Sequence, residues 1–278
     1  MTLRYAVHAP SFAEPDALVE LAIQAERCGW DGYLLWDHIL GSTAMLMPIA
    51  DSWVVLGAIA RATSRIRIGT AVTPVARRRP WKLAREVTTL NRLSGGRAIL
   101  GVGLGNPLDA EYGAFGEPTD PGRIADRLDE GLRVLDGLQS GESLHFAGRY
   151  FQVDDATFLP RPVQLPRVPV WVACTGPRGR PIHRAAQWDG AIVLKTDGDA
   201  VVPPEPGEIG EMAAAVRRDR ADTDRFDLAV VLPGLPADPA AYEAAGATWA
   251  LITGYLDDLP ATVAAGPPAS LEVLERNS

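Results

Sequence analysis

The stretch DSWVVLGAIARATSRIRIGTAVTPVARRRPWKLAREVTTLNRLSGGRAILGVGLG, residues 51–105, carries two rounds of the pattern that decides the fold. An amphipathic run from about Ser52 to Ala62 leads into the apolar IRIGTAV from Ile66. A second helical run starts at Pro80, where proline suits a first helical turn, and leads into RAILGVGLG from Arg97. Short runs rich in Val, Ile and Leu between amphipathic segments are the mark of parallel strands buried on both faces.

The same rhythm extends in both directions. Before it come RYAVHAP from Arg4, a helix from about Glu14 to Gly29 with Leu18, Leu21, Ala22 and Ala25 at helical spacing, and GYLLWDH from Gly32. After it come a Gly- and Pro-containing loop, a long helix from about Arg123 to Leu138, and an excursion near Ser143 to Phe158 that reads as a β-hairpin insertion. Four more strands follow: PVWVACTG from Pro169, GAIVLK from Gly190, FDLAVVLPG from Phe226 and ATWALITGY from Ala247. Eight strand-helix pairs predict an α/β fold, a closed (β/α)₈ TIM barrel with a hairpin before its fifth strand, in one domain spanning 1–278. VVPPEPG from Val201 reads as a loop or helix lead-in, and PPASLEVLERNS at the end as a terminal helix or tail.

Composition narrows the function. Of 278 residues, 47% are hydrophobic and 22% charged, enough apolar surface for a soluble globular core. The net charge of −8 argues against nucleic-acid partners, so an anionic ligand must meet a local basic cluster. Two isolated cysteines, Cys28 and Cys174, make neither a disulfide framework nor a zinc cage and point to a reducing cytoplasm. No basic region followed by an apolar stretch opens the chain, and no apolar run approaches the ~20 residues that span a bilayer, so no membrane partner is expected. A nucleophile elbow, a P-loop and a metal-ligand constellation are all missing, and no metal is expected.

Three segments carry a resemblance: residues 51–105, DRLDEGLRVLDGLQSGESLHFAGRYF from Asp126, and PRPVQLPRVPVWVACTGPRG from Pro160. The motifs T-x-R-I-x-I-G-T, L-x-x-L-S-G-G-R and P-x-P-V-Q-x-P occur in the order and spacing of the luciferase-like monooxygenases, whose family includes deazaflavin (coenzyme F420) dependent reductases and dehydrogenases. The resemblance implies a barrel with FMN or F420 at the strand C-termini, a small-molecule substrate and a homodimer.

Barrel enzymes place their chemistry at the C-terminal ends of strands. Asp37 and His38 end the second strand, where the family lines the substrate side of the ring; His38, supported by Asp37, is read as the acid or base accompanying hydride movement. That pairing tilts the cofactor toward F420. The resemblance places a bulge with a cis bond between Ala71 and Val72 behind the ring. Gly101, Gly103 and Gly105 leave room for a flat cofactor or a neighbouring backbone. Asn106 and Glu111 fall on the loop where the family contacts cofactor or places an acid. For the cofactor's anionic end the resemblance nominates Arg123, Gly176 and Arg178, while Arg77, Arg78 and Arg79 read by default as solvated. Trp36 and Trp53 are within reach of the mouth, although alternation points Trp36 away from Asp37. The other tryptophans are assigned to packing, and Cys174 to a small buried apolar role.

Two rival readings remain. One is a flavin-binding protein without turnover. The other is a phosphate-site lyase or isomerase, for which only Lys195 offers itself.

Overall fold

A parallel strand buried on both faces must find neighbours on either edge, and a ring of eight closes that requirement without leaving a free edge. The computed structural model describes residues 2–268 apart from 45, 199, 221–225 and 256. The expected terminal helix or tail lies, from residue 269 on, outside the described residues.

The first half of the chain forms β1 (Arg4–Ala9), α1 (Pro15–Arg27), β2 (Gly32–Leu35), α2 (Ser52–Ala62), β3 (Arg67–Pro74), α3 (Pro80–Leu93) and β4 (Ala98–Gly103). A short α4 (Leu108–Glu111) and the long α5 (Pro121–Gln139) precede the inserted hairpin β5 (Leu144–Ala147) and β6 (Gln152–Ala156). The barrel resumes with β7 (Val170–Cys174), α6 (Arg180–Ala185) and β8 (Gly190–Val193). A two-residue pair with no forewarning in the sequence pattern follows, β9 (Thr196–Asp197) and β10 (Ala200–Val201). The described order ends with α7 (Pro206–Asp219), β11 (Asp227–Leu232), α8 (Pro239–Ala244), β12 (Trp249–Thr253) and α9 (Leu259–Ala265).

Strands β1, β2, β3, β4, β7, β8, β11 and β12 form a closed parallel barrel in that order, and β12 returns to pair with β1. Alternation divides each strand between two cores. Outward-facing Val7, Leu35, Ile68 and Leu100 pack under the helices, whereas Ala6, Leu34, Ile99 and Trp171 fill the interior. Near the N-terminal ends of the strands, Trp171 and Trp249 meet at 5.5 Å between ring centroids, Arg4 lies 4.3 Å over the Trp249 ring, and Trp249 Nε1 donates to Asp227 (3.1 Å). No described helix is long and apolar enough to cross a membrane.

The motifs that give the sequence its family likeness turn out to brace this end. Arg97, last residue of L-x-x-L-S-G-G-R, donates to the carbonyls of Ala60, Thr63, Ile66 and Ser94, so one guanidinium ties the end of α2 to the starts of β3 and β4. Asn91 accepts from the Val163 and Gln164 amides, holding P-x-P-V-Q-x-P against α3. The hairpin is fixed by Glu130 of α5, whose carboxylate accepts from the Arg149, Tyr150 and Phe151 amides.

Hydrogen bonds from a charged donor are each worth about 1.5–3 kcal/mol, and an orphaned buried carbonyl costs a similar amount. Arg97→Ala is therefore expected to lower the unfolding free energy by about 3 kcal/mol in urea titration. Arg97→Lys should recover only part of this, because an ammonium lacks the planar fork that reaches four acceptors at once.

Candidate active site

Space at the C-terminal mouth is made on one side by a bulge. The β3–β4 register slips between Thr70 and Thr73, and the Ala71–Val72 peptide is cis, where the resemblance placed it. The glycines of β4 admit this bulge. A Cβ on Gly101 would lie 2.2 Å from the Thr70 carbonyl oxygen, and one on Gly103 would lie 2.8 Å from Val72 Cγ2. With Ala71 and Ala173 beside them, these residues make a wall of small side chains.

Behind and above that wall runs a chain of buried charge. Arg77 reaches Glu111 with one nitrogen and the Asp37 carbonyl (2.9 Å) and carboxylate (3.2 Å) with the other. Arg78 adds two 2.8 Å bonds to the Asp37 carboxylate, which also accepts from Thr73 Oγ1 (2.8 Å) and Trp53 Nε1 (3.2 Å). The Arg77, Asp37 and Glu111 side chains are only 5%, 3% and 0% exposed. The default of solvated arginines is thus wrong for Arg77 and Arg78, which are consumed by internal carboxylates; Arg79 alone of the three is exposed.

Glu111 determines how His38 sits. Its carboxylate accepts from His38 Nδ1 (2.9 Å) and from the amides of Ile39 (3.2 Å), Leu40 (3.4 Å) and Gly41 (3.0 Å). Burial would raise its pKa, but the His38 and Gly41 hydrogen bonds and the Arg77 charge bring it down to about 2, so it is ionised and can only accept. His38 therefore carries its proton on Nδ1, and Nε2 is left for exchange. Asp37 does not support His38 as expected. β2 stops at Leu35 and not at His38, the chain turns Asp37 toward α2 and β3, and the carboxylate beside the imidazole comes from 73 residues further on.

A second histidine, His8, which the sequence analysis did not single out, shares the mouth. His8 ends the inward-facing series Ala6, His8 on β1; its Nε2 donates to the Ala71 carbonyl at the bulge. It is 7% exposed, and burial, against the opposing bond to Ala71, brings its pKa down to about 4. His8 (5.6 Å), Phe12 (5.8 Å), His38 (6.0 Å) and Tyr255 (6.5 Å) surround the Trp36 ring, an aromatic rim that His8 joins to the small-residue wall at Ala71. The signal for His8 was available, since counting by twos from Ala6 puts it at the strand's C-terminal end facing in.

The model of the luciferase-like monooxygenases matches residues 2–264. The chain belongs to this family. It is 38% identical over 184 residues to an F420-dependent glucose-6-phosphate dehydrogenase of Kineococcus radiotolerans, covering 64% of this chain and 52% of that protein. A protein of the same name from Rhodococcus erythropolis is 34% identical over 240 residues, covering 81% and 67%. The chain thus spans about half to two thirds of the length of these curated relatives. A structure described as an F420-dependent secondary alcohol dehydrogenase in complex with an F420-acetone adduct matches with a TM-score of 0.78 at 20% identity, over 95% of this chain and 97% of that one. At that identity the likeness speaks for the fold.

Other residues singled out from the luciferase-like pattern lie on the rim. Asn106 is exposed, before a cis bond to Pro107. Arg123 is exposed in the first turn of α5, and Gly176 and exposed Arg178 lie between β7 and α6. Those two elements are neighbours, because Arg180 pairs with Asp126 (2.7 Å) and Asp129 of α5. Lys195 is held by both oxygens of Glu208 (2.9 and 2.8 Å), which removes the amine that a lyase or isomerase reading required. Cys174 is buried as expected, and burial pushes its thiol up to about 12. Among the described residues, three possible metal ligands gather at His145, Asp154 and Asp155, all fully on the hairpin surface.

A buried neutral His8 makes stability depend on acid. Its pKa is lower folded (about 4) than its ordinary 6.5, so the unfolded chain takes up a proton first and stability falls as pH drops from 6.5 toward 4. One such group contributes at most about 1.4 kcal/mol per pH unit. Urea midpoints measured between about pH 6.5 and 4.5 should fall less steeply for His8→Phe than for the unsubstituted chain.

Proposed function

We propose that this protein is an oxidoreductase that uses F420, in preference to FMN, to move a hydride to or from a small organic substrate with a hydroxyl or carbonyl group. The observation that carries this reading is His38, oriented by an ionised Glu111 and standing in an aromatic cluster at the same mouth as a wall of small side chains. The F420-dependent relatives and the alcohol dehydrogenase of like fold support the choice of cofactor.

Ala71, Val72 and Gly103 would back the ring, and Asn106, Arg123, Gly176 and Arg178 would meet the ribityl and phosphate portion. Bound F420 supplies a two-electron hydride acceptor or donor. The chain supplies the proton chemistry: His38 Nε2 takes the hydroxyl proton on oxidation and returns it on reduction, while Nδ1–H stays on Glu111. An ionised Glu111 stabilises the imidazolium formed when Nε2 is protonated and keeps the ring from rotating. Glu111 and Asp37 are positioning residues in this scheme. Asp37 anchors Arg77 and Arg78, and Arg77 holds Glu111.

A homodimer in the reducing cytoplasm accompanies the proposal. Free Cys28 and Cys174 agree with the compartment. For the dimer, the support is a set of exposed apolar side chains, Val54 (74%) on α2, Leu93 on α3, and Leu159, Val163 and Leu165 beside α3.

Two measurements test the reading. His38→Asn, which cannot titrate, should lower turnover by ~10²-fold or more with cofactor affinity nearly unchanged; equal loss in both would make His38 a binding residue only. Arg123→Ala should weaken F420 binding, followed by deazaflavin fluorescence, by roughly 1–3 kcal/mol, and unchanged affinity would move the phosphate elsewhere.

A further inference from the structure

Two polar atoms of the mouth have no partner. His8 Nδ1 and Trp36 Nε1 are both buried, and neither makes a hydrogen bond in the structure. Their roles are fixed and opposite. Because the Ala71 carbonyl can only accept, His8 carries its hydrogen on Nε2, which leaves the Nδ1 lone pair as an acceptor. The indole N–H of Trp36 can only donate. The two rings are neighbours, 5.6 Å between centroids, yet the orphan atoms do not satisfy one another. A pKa as low as about 4 keeps His8 neutral, and so an acceptor, throughout the physiological range.

Arg77 Nε and Arg78 Nε, within the buried charge network, and Ser11 Oγ, just past β1, are orphaned as well. Tyr33 faces the helix layer, and Trp171 lies in the barrel interior against Trp249. His8 and Trp36 are different in standing side by side at the mouth, next to the bulge and within the rim that includes His38. A buried donor or acceptor left unmade costs about 1–3 kcal/mol, so a ligand that supplies both partners at once recovers that cost on binding. The group that does so with one atom is a hydroxyl: its O–H donates and its lone pair accepts. A carbonyl meets the indole alone, and an ether likewise. Tyr255, in ring contact with Trp36, is 67% exposed, which puts the Trp36 side of the pair next to solvent.

We propose that His8 Nδ1 and Trp36 Nε1 form the hydroxyl-recognition pair of this site, accepting from and donating to one alcohol oxygen of the substrate in the bound complex, from which the O–H turns to His38 Nε2 when the proton is taken. The assignment rests on the oxidoreductase reading for its place in a reaction, and it deepens that reading by naming an alcohol as the bound form. It also gives the site a preference between the two oxidation states of one substrate. The alcohol satisfies both atoms, whereas the ketone leaves His8 Nδ1 unpaired, so the ketone is bound less tightly and leaves first.

The test uses the purified full chain with F420, or with FMN if only that binds, and two probes of matched shape, cyclohexanol and cyclohexanone. Cofactor binding is followed by fluorescence, and the Trp36 indole N–H by its assigned resonance in ¹H–¹⁵N spectra. Cyclohexanol is expected to move the indole resonance and to bind about tenfold more tightly than cyclohexanone, the ratio that one unmade hydrogen bond produces. His8→Phe should abolish that preference while leaving cyclohexanone affinity unchanged. Trp36→Phe should weaken both probes about tenfold. An indole that moves when cofactor alone is added, and no further with cyclohexanol, would assign the pair to the polar edge of the cofactor ring and overturn the proposal. No movement with either would make the two atoms structural orphans and would overturn it equally. The spectra need no variant, so failure of either substitution to fold leaves the result standing. If neither F420 nor FMN binds, the oxidoreductase reading falls by itself, and the indole response of the cofactor-free chain to cyclohexanol still decides the pair.

Discussion

One guanidinium between two carboxylates holds the mouth of this barrel together. Arg77 bonds Asp37 just past the end of β2 and Glu111 at the end of α4, and it does so with nearly all three side chains out of water. Removing such charges from solvent is expensive, and their attraction repays the cost only when the remaining lone pairs are also filled. Here they are filled: Asp37 by Arg78, Thr73 and Trp53, and Glu111 by His38 and three consecutive amides. The filled carboxylates give the network one arrangement, and that arrangement fixes the 38–41 segment, the histidine tautomer and the position of the loop after β4 together.

This is why the charged residues near the site were the hardest to read in the sequence. Strand periodicity is a local property, so eight strands, the inserted hairpin and the bulge at Ala71–Val72 could be placed from short windows and the family motifs. The partner of a buried charge is not local. RRR after β3 reads as solvent-facing from composition, and nothing adjacent in the chain says that Asp37 and Glu111 are waiting for it. The pairing of Asp37 with His38 failed for a related reason. Neighbours in an extended chain point to opposite sides, so the residue adjacent to the histidine in sequence was the one carboxylate least able to touch it.

The same alternation, carried to β1, would have added His8 to Trp36. Both face inward by parity, one at the end of β1 and one just past the end of β2. The Asp-His dipeptide is the conspicuous signal in this part of the sequence, whereas His8 sits among apolar neighbours in RYAVHAP. It is core by burial and mouth by position. That combination keeps it neutral, and the β3 bulge supplies the carbonyl that sets its tautomer.

The division of charge has a consequence for how a ligand is held. Arg77 and Arg78 are spent inside the protein, so the cations left to meet an anionic tail are surface groups such as Arg123 and Arg178, which make no ion pair to a described residue. Attraction by exposed cations is screened over about 10 Å at about 0.1 M salt. On the proposed reading, contacts to the ring and substrate would fall instead on buried neutral atoms, the His8 and Trp36 nitrogens and the bulge backbone, which salt barely reaches. Added salt should accordingly slow the capture of an F420-like anion and lower its affinity, yet leave discrimination between alcohol and ketone unchanged, because the two functions draw on groups in different dielectric surroundings. In a molecule with a net charge of −8 the overall field opposes an anionic ligand, so on the proposed reading the exposed arginines Arg123 and Arg178 would have to supply the local attraction for its tail.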